Sequence, residues 1–223
     1  MRINQFVAGA TGISRRAADE AISLGRVLIS GRTATLGEEV TPTDIVELDG
    51  ERIRQPVEHT FVMLNKPAGY VSSRVRQGNT LTLYALLPPG MSKLRITGRL
   101  DRESSGLVIL TDDGDFIQRH THPSFEKRKV YEVTLSHKLS SGEETLIKSG
   151  IELEDGVSRV DILSSNDRTV TVSMHEGRNR QLRRMFAVLG LTVERLHRTE
   201  MGPFKLGKLP SGAWQAITEE GTV

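Results

Sequence analysis

The chain runs to 223 residues with a formal net charge of +2, 26% charged and 37% hydrophobic residues, and no cysteine. That length holds one large domain or two small ones and buries a core without staples, while the missing thiols exclude disulfides and cysteine-ligated zinc or iron–sulfur sites. No apolar run approaches the roughly 20 residues of a membrane helix. Met1-Arg2-Ile3-Asn4-Gln5 lacks the apolar core of a secretory signal, so no membrane partner and a cytoplasmic location are expected. The charge is unevenly spread: five arginines face two acids between Met1 and Arg32, and nine Lys/Arg face three acids between Arg168 and Lys208. Two basic concentrations in a nearly neutral chain point to a polyanionic partner.

Ile3, Phe6, Val7 and Ala10 recur at i, i+3, i+4 and i+7, which predicts one face of a short helix ended by Gly12. Ser14 is placed to cap a second helix and Gly25 to end it. Val27 to Ile29 reads as a strand turning at Ser30-Gly31, and Ile45 to Leu48 as another turning at Asp49-Gly50. Residues 1–50 therefore form a small helix–helix–hairpin unit, and the polar stretch 51–59, with Pro56, reads as a linker. Arg15 and Arg16 open the second helix, where the dipole disfavours cations; cations kept there point to a use such as contacting phosphate. Ser14-Arg15-Arg16-x-Ala18, followed by Ile22-x-x-Gly25-Arg26-Val27-x-Ile29-x-Gly31, resembles the S4 RNA-binding domain. The resemblance implies a helical face and hairpin that hold structured ribosomal or transfer RNA by shape and phosphate contacts.

A second core begins at Phe61 to Leu64, followed by a turn over Asn65-Lys66-Pro67-Ala68-Gly69-Tyr70. Between the strand-like Leu94–Thr97 and the continuous apolar run Leu107–Thr111 lies Gly98-Arg99-Leu100-Asp101-Arg102-Glu103-Ser104-Ser105-Gly106. A loop at a sheet edge presents reactive groups on a rigid scaffold. Its two arginines favour the ionised Asp101 and suit a phosphate-bearing substrate. The alternative is a solvated turn with a surface ion pair. Asp112-Asp113-Gly114-Asp115 lacks the spacing of a calcium loop and reads as the cap of a helix starting near Phe116. His120 and His122 have no third ligand in view, so no metal is assigned to them.

Tyr131, Val133 and Leu135 alternate on one face of a strand, as do Val170, Val172 and Met174. Leu182, Met185, Phe186 and Leu189 form the apolar stripe of a helix ended by Gly190, which leaves Arg180, Arg183 and Arg184 off the buried stripe. Four arginines in seven residues, 178 to 184, have no acid between them. Trp214 is expected in the core. No βα repeat runs through residues 60–223, so the fold class is α+β, with a mixed, mostly antiparallel sheet flanked by helices. Walker, Gly-x-Gly-x-x-Gly and Gly-x-Ser-x-Gly motifs are absent from the sequence.

A carboxylate beside arginines, with no second base and no cofactor motif, suits chemistry at a sugar C1′, whose cationic character a carboxylate stabilises or attacks. The ordered set Lys66-Pro-x-Gly69, Ser72-Ser73, Gly98-Arg99-Leu100-Asp101, Ser105-Gly106-Leu107, Leu110-Thr111-x-Asp113-Gly114 and His122-Pro123 continues with Lys129-x-Tyr131. Gly177-Arg178-Asn179-Arg180-Gln181-Leu182-Arg183-Arg184-Met185 and Leu209-Pro-x-Gly212-x-Trp214 complete it. In that order these motifs closely resemble the RsuA-type family of RNA pseudouridine synthases, over nearly the whole chain.

The resemblance implies isomerisation of a uridine in folded RNA without metal or organic cofactor, in a catalytic domain over residues 60–223. It implies Asp101 as the catalytic carboxylate, Tyr131 stacked on the target base and placed for proton transfer, and Arg183 paired with Asp101. Arg99 is implied to fill the space left by the flipped nucleotide. Further RNA contacts are expected from Lys66, Arg102 and Lys129, from Arg178, Asn179, Arg180, Gln181 and Arg184, and from Arg15 and Arg16 in the first unit. The run Asn179–Met185 leans toward large-subunit ribosomal RNA, with small-subunit or transfer RNA as alternatives. The expected partner is a structured stem-loop of ribosomal RNA or a pre-ribosomal particle, met by a monomer. A non-catalytic RNA-binding or ribosome-assembly factor and an RNA N-glycosidase are the competing functions; uridine isomerisation and aniline-sensitive abasic sites tell them apart.

Overall fold

A computed structural model describes residues 1–54 and 59–221, and the chain divides into two units, Met1–Glu58 and His59–Val223. In the first unit the periodic positions build helix α1 (Ile3–Thr11), with Ile3 and Val7 buried and Gly12 ending it at φ 76°. Helix α2 (Arg15–Ser23) starts where the Ser14 hydroxyl accepts the Ala17 N–H at 3.2 Å. Its apolar face (Ala18, Ala21, Ile22) packs with α1 over the sheet β2–β1–β3–β4, formed by β1 (Val27–Ile29), β2 (Arg32–Thr33), β3 (Val46–Leu48) and β4 (Glu51–Ile53). The linker expected over 51–59 therefore starts later. Asp49 and Gly50, at φ 54° and 82°, make a tight hairpin turn that returns Glu51–Ile53 to pair with β3, and Ile53 packs on the small core. Gln55 to Glu58, including Pro56, lie outside the described residues.

The second unit is built on a nine-stranded sheet. Its strands are β5 (Phe61–Lys66), β6 (Arg95–Thr97), β7 (Ser105–Thr111), β8 (Lys129–Leu135), β11 (Asp161–Asn166), β12 (Thr169–Met174), β13 (Val193–Met201), β14 (Phe204–Lys205) and β15 (Trp214–Ile217), while β9 (Ile151–Leu153) and β10 (Gly156–Ser158) form a separate hairpin. The order is β11–β12–β8–β13–β7–β5–β15, with β6 beside β7 and β14 beside β13. Among the described residues of this sheet, only the β7–β13 pairing is parallel. β5 and β7 are buried on both faces, as a continuous apolar run requires. Val62, Leu64, Val108 and Leu110 enter one cluster and Phe61, Met63, Leu107 and Ile109 the other.

Helix α3 (Gly114–Thr121) covers the second of these faces through Phe116, and the Asp113 carboxylate caps it by accepting the Asp115 and Phe116 N–H groups. Helices α4 (Ser141–Ser149) and α5 (Gln181–Val188) lie on the first face, through Ile147 and through Leu182, Met185 and Phe186. Two expectations need adjusting. Asn65 and Lys66 are the buried end of β5 rather than a turn, because the Asn65 N–H and C=O pair with Ala213 and Gly212. Trp214 is half-buried against the core from the edge strand β15 rather than inside it. Among the described residues, no helix is long and apolar enough to cross a membrane.

Candidate active site

A cleft of about 470 Å³ opens in the second unit, and Asp101, Tyr131 and the start of α5 line it together. Asp101 sits in the loop between β6 and β7, and its backbone neighbours are clamped on both sides. The Ser72 hydroxyl donates to the Leu100 carbonyl at 2.9 Å and accepts its N–H at 3.2 Å. The Gly69 N–H donates to the Arg102 carbonyl at 2.7 Å. The carboxylate itself remains a third exposed. Tyr131 is buried on β8, 8% exposed, and its ring forms part of the cleft wall.

Helix α5 supplies the cations, with roles that differ from expectation. Arg183 does not form an ion pair with Asp101. Its guanidinium donates to the Val193 carbonyl at 2.9 Å and to the Glu103 carbonyl at 3.3 Å, tying the Asp101 loop to β13. Burial first, and then the Arg180 charge, push the Arg183 guanidinium below its ordinary pKa. Arg180 takes the pairing role instead, 3.9 Å from the Asp101 carboxylate and 3.0 Å from that of Glu103. It does so from a left-handed backbone, φ 46° and ψ 31°, at the helix N-cap; non-glycine residues adopt that conformation at a cost, and it clusters at functional sites. Glu103 is held below its usual carboxyl pKa by its own backbone N–H and by Arg180.

Other basic residues are structural. The Arg178 guanidinium binds the carbonyls of Asp155, Gly156 and Val157 and the carboxylates of Asp155 and Glu176, which fastens the β9–β10 hairpin to the approach of α5. Arg184 grips Asp155 with two bonds of 2.8 and 3.0 Å. Gln181 is 3% exposed and bonded to Ser158, Glu176 and the Arg178 N–H. Lys66 is fully buried, donating to the carbonyls of Pro67 and Tyr70, and burial lowers its pKa to about 8 against the pull of Asp101 and Glu103. The polar groups of Gln181 and Lys66 are thus used inside the fold, with Lys66 away from solvent and Gln181 in the cleft wall.

Arg99, Arg102, Asn179 and Arg180 are exposed, and all but Arg102 line the cleft. Lys129 lines it half-buried, its ammonium directed at the carbonyls of Lys127, His175 and Glu176, and burial lowers its pKa. Arg15 and Arg16 are exposed on α2 in the other unit. His120 stacks on Phe116 at 4.0 Å and meets the Phe116 carbonyl through Nδ1. Among the described residues no three His, Cys, Asp or Glu side chains are grouped to hold a metal.

Two contributors were given no role by the sequence reading. Gly106, at φ 109°, lets β7 lie against the backbone of Arg198. Arg198 is 2% exposed and lines the cleft, with Nε donating to the Leu107 carbonyl at 2.8 Å. Its signal was parity: two residues after the buried Leu196 in a strand, it falls on the inward face.

The profile of the RNA pseudouridylate synthase family matches residues 60–188, and that of the S4 domain residues 1–46. The chain is 35% identical to an uncharacterized RNA pseudouridine synthase of Aquifex aeolicus, covering 98% of this chain and 91% of that one. It is also 35% identical to the ribosomal small subunit pseudouridine synthase A of Yersinia pestis, covering 99% and 96%. A crystal structure of a pseudouridylate synthase superposes with a TM-score of 0.68 at 32% identity, over 98% of this chain and 96% of that chain. A carboxylate loop facing an aromatic strand, on a scaffold related end to end to these enzymes, leaves one assignment: the chain belongs to the RNA pseudouridine synthase family and is an RNA isomerase with an N-terminal S4 domain.

Proposed function

We propose that the enzyme isomerises a uridine of ribosomal RNA, with Asp101 as the catalytic carboxylate. The N1–C1′ bond breaks, the base rotates, and C5 joins C1′; the C5 proton leaves and N1 regains one, so the reaction is redox-neutral. The observation that carries this reading is the clamped Asp101 loop, which fixes the backbone on both sides of a carboxylate left open to the cleft. A uridine reaches it only when flipped from its stack, at a cost of a few kcal/mol. Stacking on Tyr131 returns roughly 1–3 kcal/mol of that, and the exposed Arg99 is suited to fill the gap left behind. Arg180 aligns Asp101, and Arg183 supports the loop behind it.

The small ribosomal subunit is the favoured source of the target. The large-subunit lean drawn from Asn179–Met185 finds no support in the Yersinia pestis relative, which is named for the small ribosomal subunit. The substrate is a structured stem-loop of that RNA or a particle containing it, bound by a monomer in the cytoplasm. Carbodiimide mapping of both subunit RNAs from a deletion strain identifies the missing pseudouridine. With that RNA, Asp101→Asn is expected to abolish isomerisation while RNA affinity stays within a few fold. Appreciable turnover by purified Asp101→Asn would falsify the assignment.

A further inference from the structure

Arg198 is a buried cation that the fold leaves unneutralised. It is 2% exposed, yet among the described residues no carboxylate lies within ion-pair distance of it. Only its Nε is placed, on the Leu107 carbonyl, and its Nη2 is buried with no partner at all. Taking a charge out of water without a counter-ion is costly, and removing the charge or supplying a partner relieves the cost. Its field reaches other groups of the site: after burial, Arg198 is a cause of the lowered pKa values of Lys129 and Lys66. Arg198 and Lys129 both line the cleft, and the loop carboxylate Asp101 is paired with Arg180 rather than with either of them.

The register says where that charge is presented. Arg198 on β13 is the direct cross-strand partner of Tyr131 on β8. Paired residues project to the same face with Cβ atoms about 5 Å apart, and both side chains line the cleft. On its other side Arg198 pairs with Gly106 on β7, where the missing side chain lets the two backbones meet and the next residue's carbonyl, that of Leu107, holds the Arg198 Nε. A flat base stacked on Tyr131 would have its edge toward Arg198.

We propose that Arg198 is a catalytic residue that donates from its free guanidinium nitrogen to a uracil carbonyl oxygen, stabilising the negative charge the base takes up as N1–C1′ breaks. This rests on the isomerase reading above. The bonding pair of N1–C1′ leaves with the base and spreads over N1 and the carbonyl oxygens, while Asp101 meets the electron-poor C1′. The charge is withdrawn again when C5 bonds to C1′ and N1 is protonated. A donor already desolvated and fixed needs no reorganisation as that charge appears. A phosphate is the poorer occupant. It would have to shed its hydration to reach the cleft floor, whereas exposed arginines stand at the rim.

The test compares the full-length wild type, Arg198→Met and Arg198→Lys on transcribed ribosomal RNA carrying either uridine or 5-fluorouridine. Single-turnover tritium release from C5 is read for uridine, and formation of the C-linked nucleoside for 5-fluorouridine. Fluorine makes the departing base a weaker base, so it needs less help. Arg198→Met should lose roughly 10²–10³ in rate on uridine, with RNA affinity within a few fold and a several-fold smaller loss on 5-fluorouridine. Arg198→Lys, which keeps a cation and preserves folding if the methionine variant does not, should fall between with the same substrate ordering. Equal losses on both substrates, or an unchanged rate with weaker and less salt-dependent binding, overturn the proposal. An inert wild type sinks the isomerase reading itself, whereas an active wild type with an equally active Arg198→Met sinks only this one.

Discussion

Gly106→Ala isolates the seam on which the site is assembled. Gly106 lies at φ 109°, and a Cβ built there falls 2.2 Å from the Arg198 carbonyl oxygen, 2.5 Å from its nitrogen and 2.9 Å from its carbonyl carbon. All three are backbone atoms, so no side chain can swing aside. The strands must separate by on the order of 1 Å to restore ordinary contact, which also strains the Arg198 Nε bond to Leu107. An L-residue held at that φ costs about 1–2 kcal/mol, and overpacking a tight interior about 1–3 kcal/mol. Together these give a destabilisation of about 2–5 kcal/mol, read as the shift in the urea midpoint at constant slope. Single-turnover isomerisation should fall too, since Asp101 enters from one strand of the seam and Arg198 from the other. Gly142→Ala is the control: it lies in α4 with nothing within 4 Å and ordinary φ, so stability should hold or rise. Stability of Gly106→Ala within about 0.5 kcal/mol of wild type, with normal turnover, would refute the reasoning.

Arg180→Ala and Arg183→Ala should separate alignment from support. Arg180 pairs from a half-exposed position, so its loss should change stability by less than about 1 kcal/mol while slowing the reaction; Arg183→Ala orphans the Val193 carbonyl and should cost about 1–3 kcal/mol as well as rate. The reverse pattern in urea unfolding and single-turnover assays would exchange their roles. Lys66 predicts a pH dependence. Its native ammonium loses its proton near pH 8, against an ordinary 10.5, so between those values the unfolded chain binds more protons and raising pH favours the native state. Wild type should gain up to roughly 3 kcal/mol over Lys66→Met as pH climbs through that window, and a difference in urea stability that stays flat with pH would remove the buried charge from the account.

Local signals carried much of the fold. The Ser14 and Asp113 caps, the Asp49-Gly50 turn and the α5 stripe depend on residues within a few positions of one another, and each element formed where its pattern indicated. Glu51–Ile53 looked like linker because a short, mostly exposed strand shows no alternation. The four-arginine run looked unpaired because its acids come from elsewhere in the chain: Asp155, which Arg178 and Arg184 share, lies 29 positions from Arg184, and Glu103 lies 77 from Arg180. Lys66 and Gln181 carry polar labels that say nothing about burial. Asp101 and Tyr131, singled out by motif order, do line one cleft. Their relation to Arg198 was not legible, since it arises from cross-strand register, which no spacing along the chain reveals.

The position of β13 bears on when the enzyme becomes active. Without it the sheet is two antiparallel halves, β11–β12–β8 carrying Tyr131 and β7–β5–β15 with the Asp101 loop at its edge. β13 enters between them, and its contact with β7 joins Ser105 to His197 across 92 positions. A closure that long is entropically dear and comes late, after the hairpins have formed. A chain still emerging from synthesis has its carboxylate beside the β5–β7 pair and its aromatic on the β8–β12 pair, two separate pieces until residues near 200 are free to insert. In pulse-labelled hydrogen exchange the amides of β13 are expected to gain protection together with activity, behind those of β7 and β12.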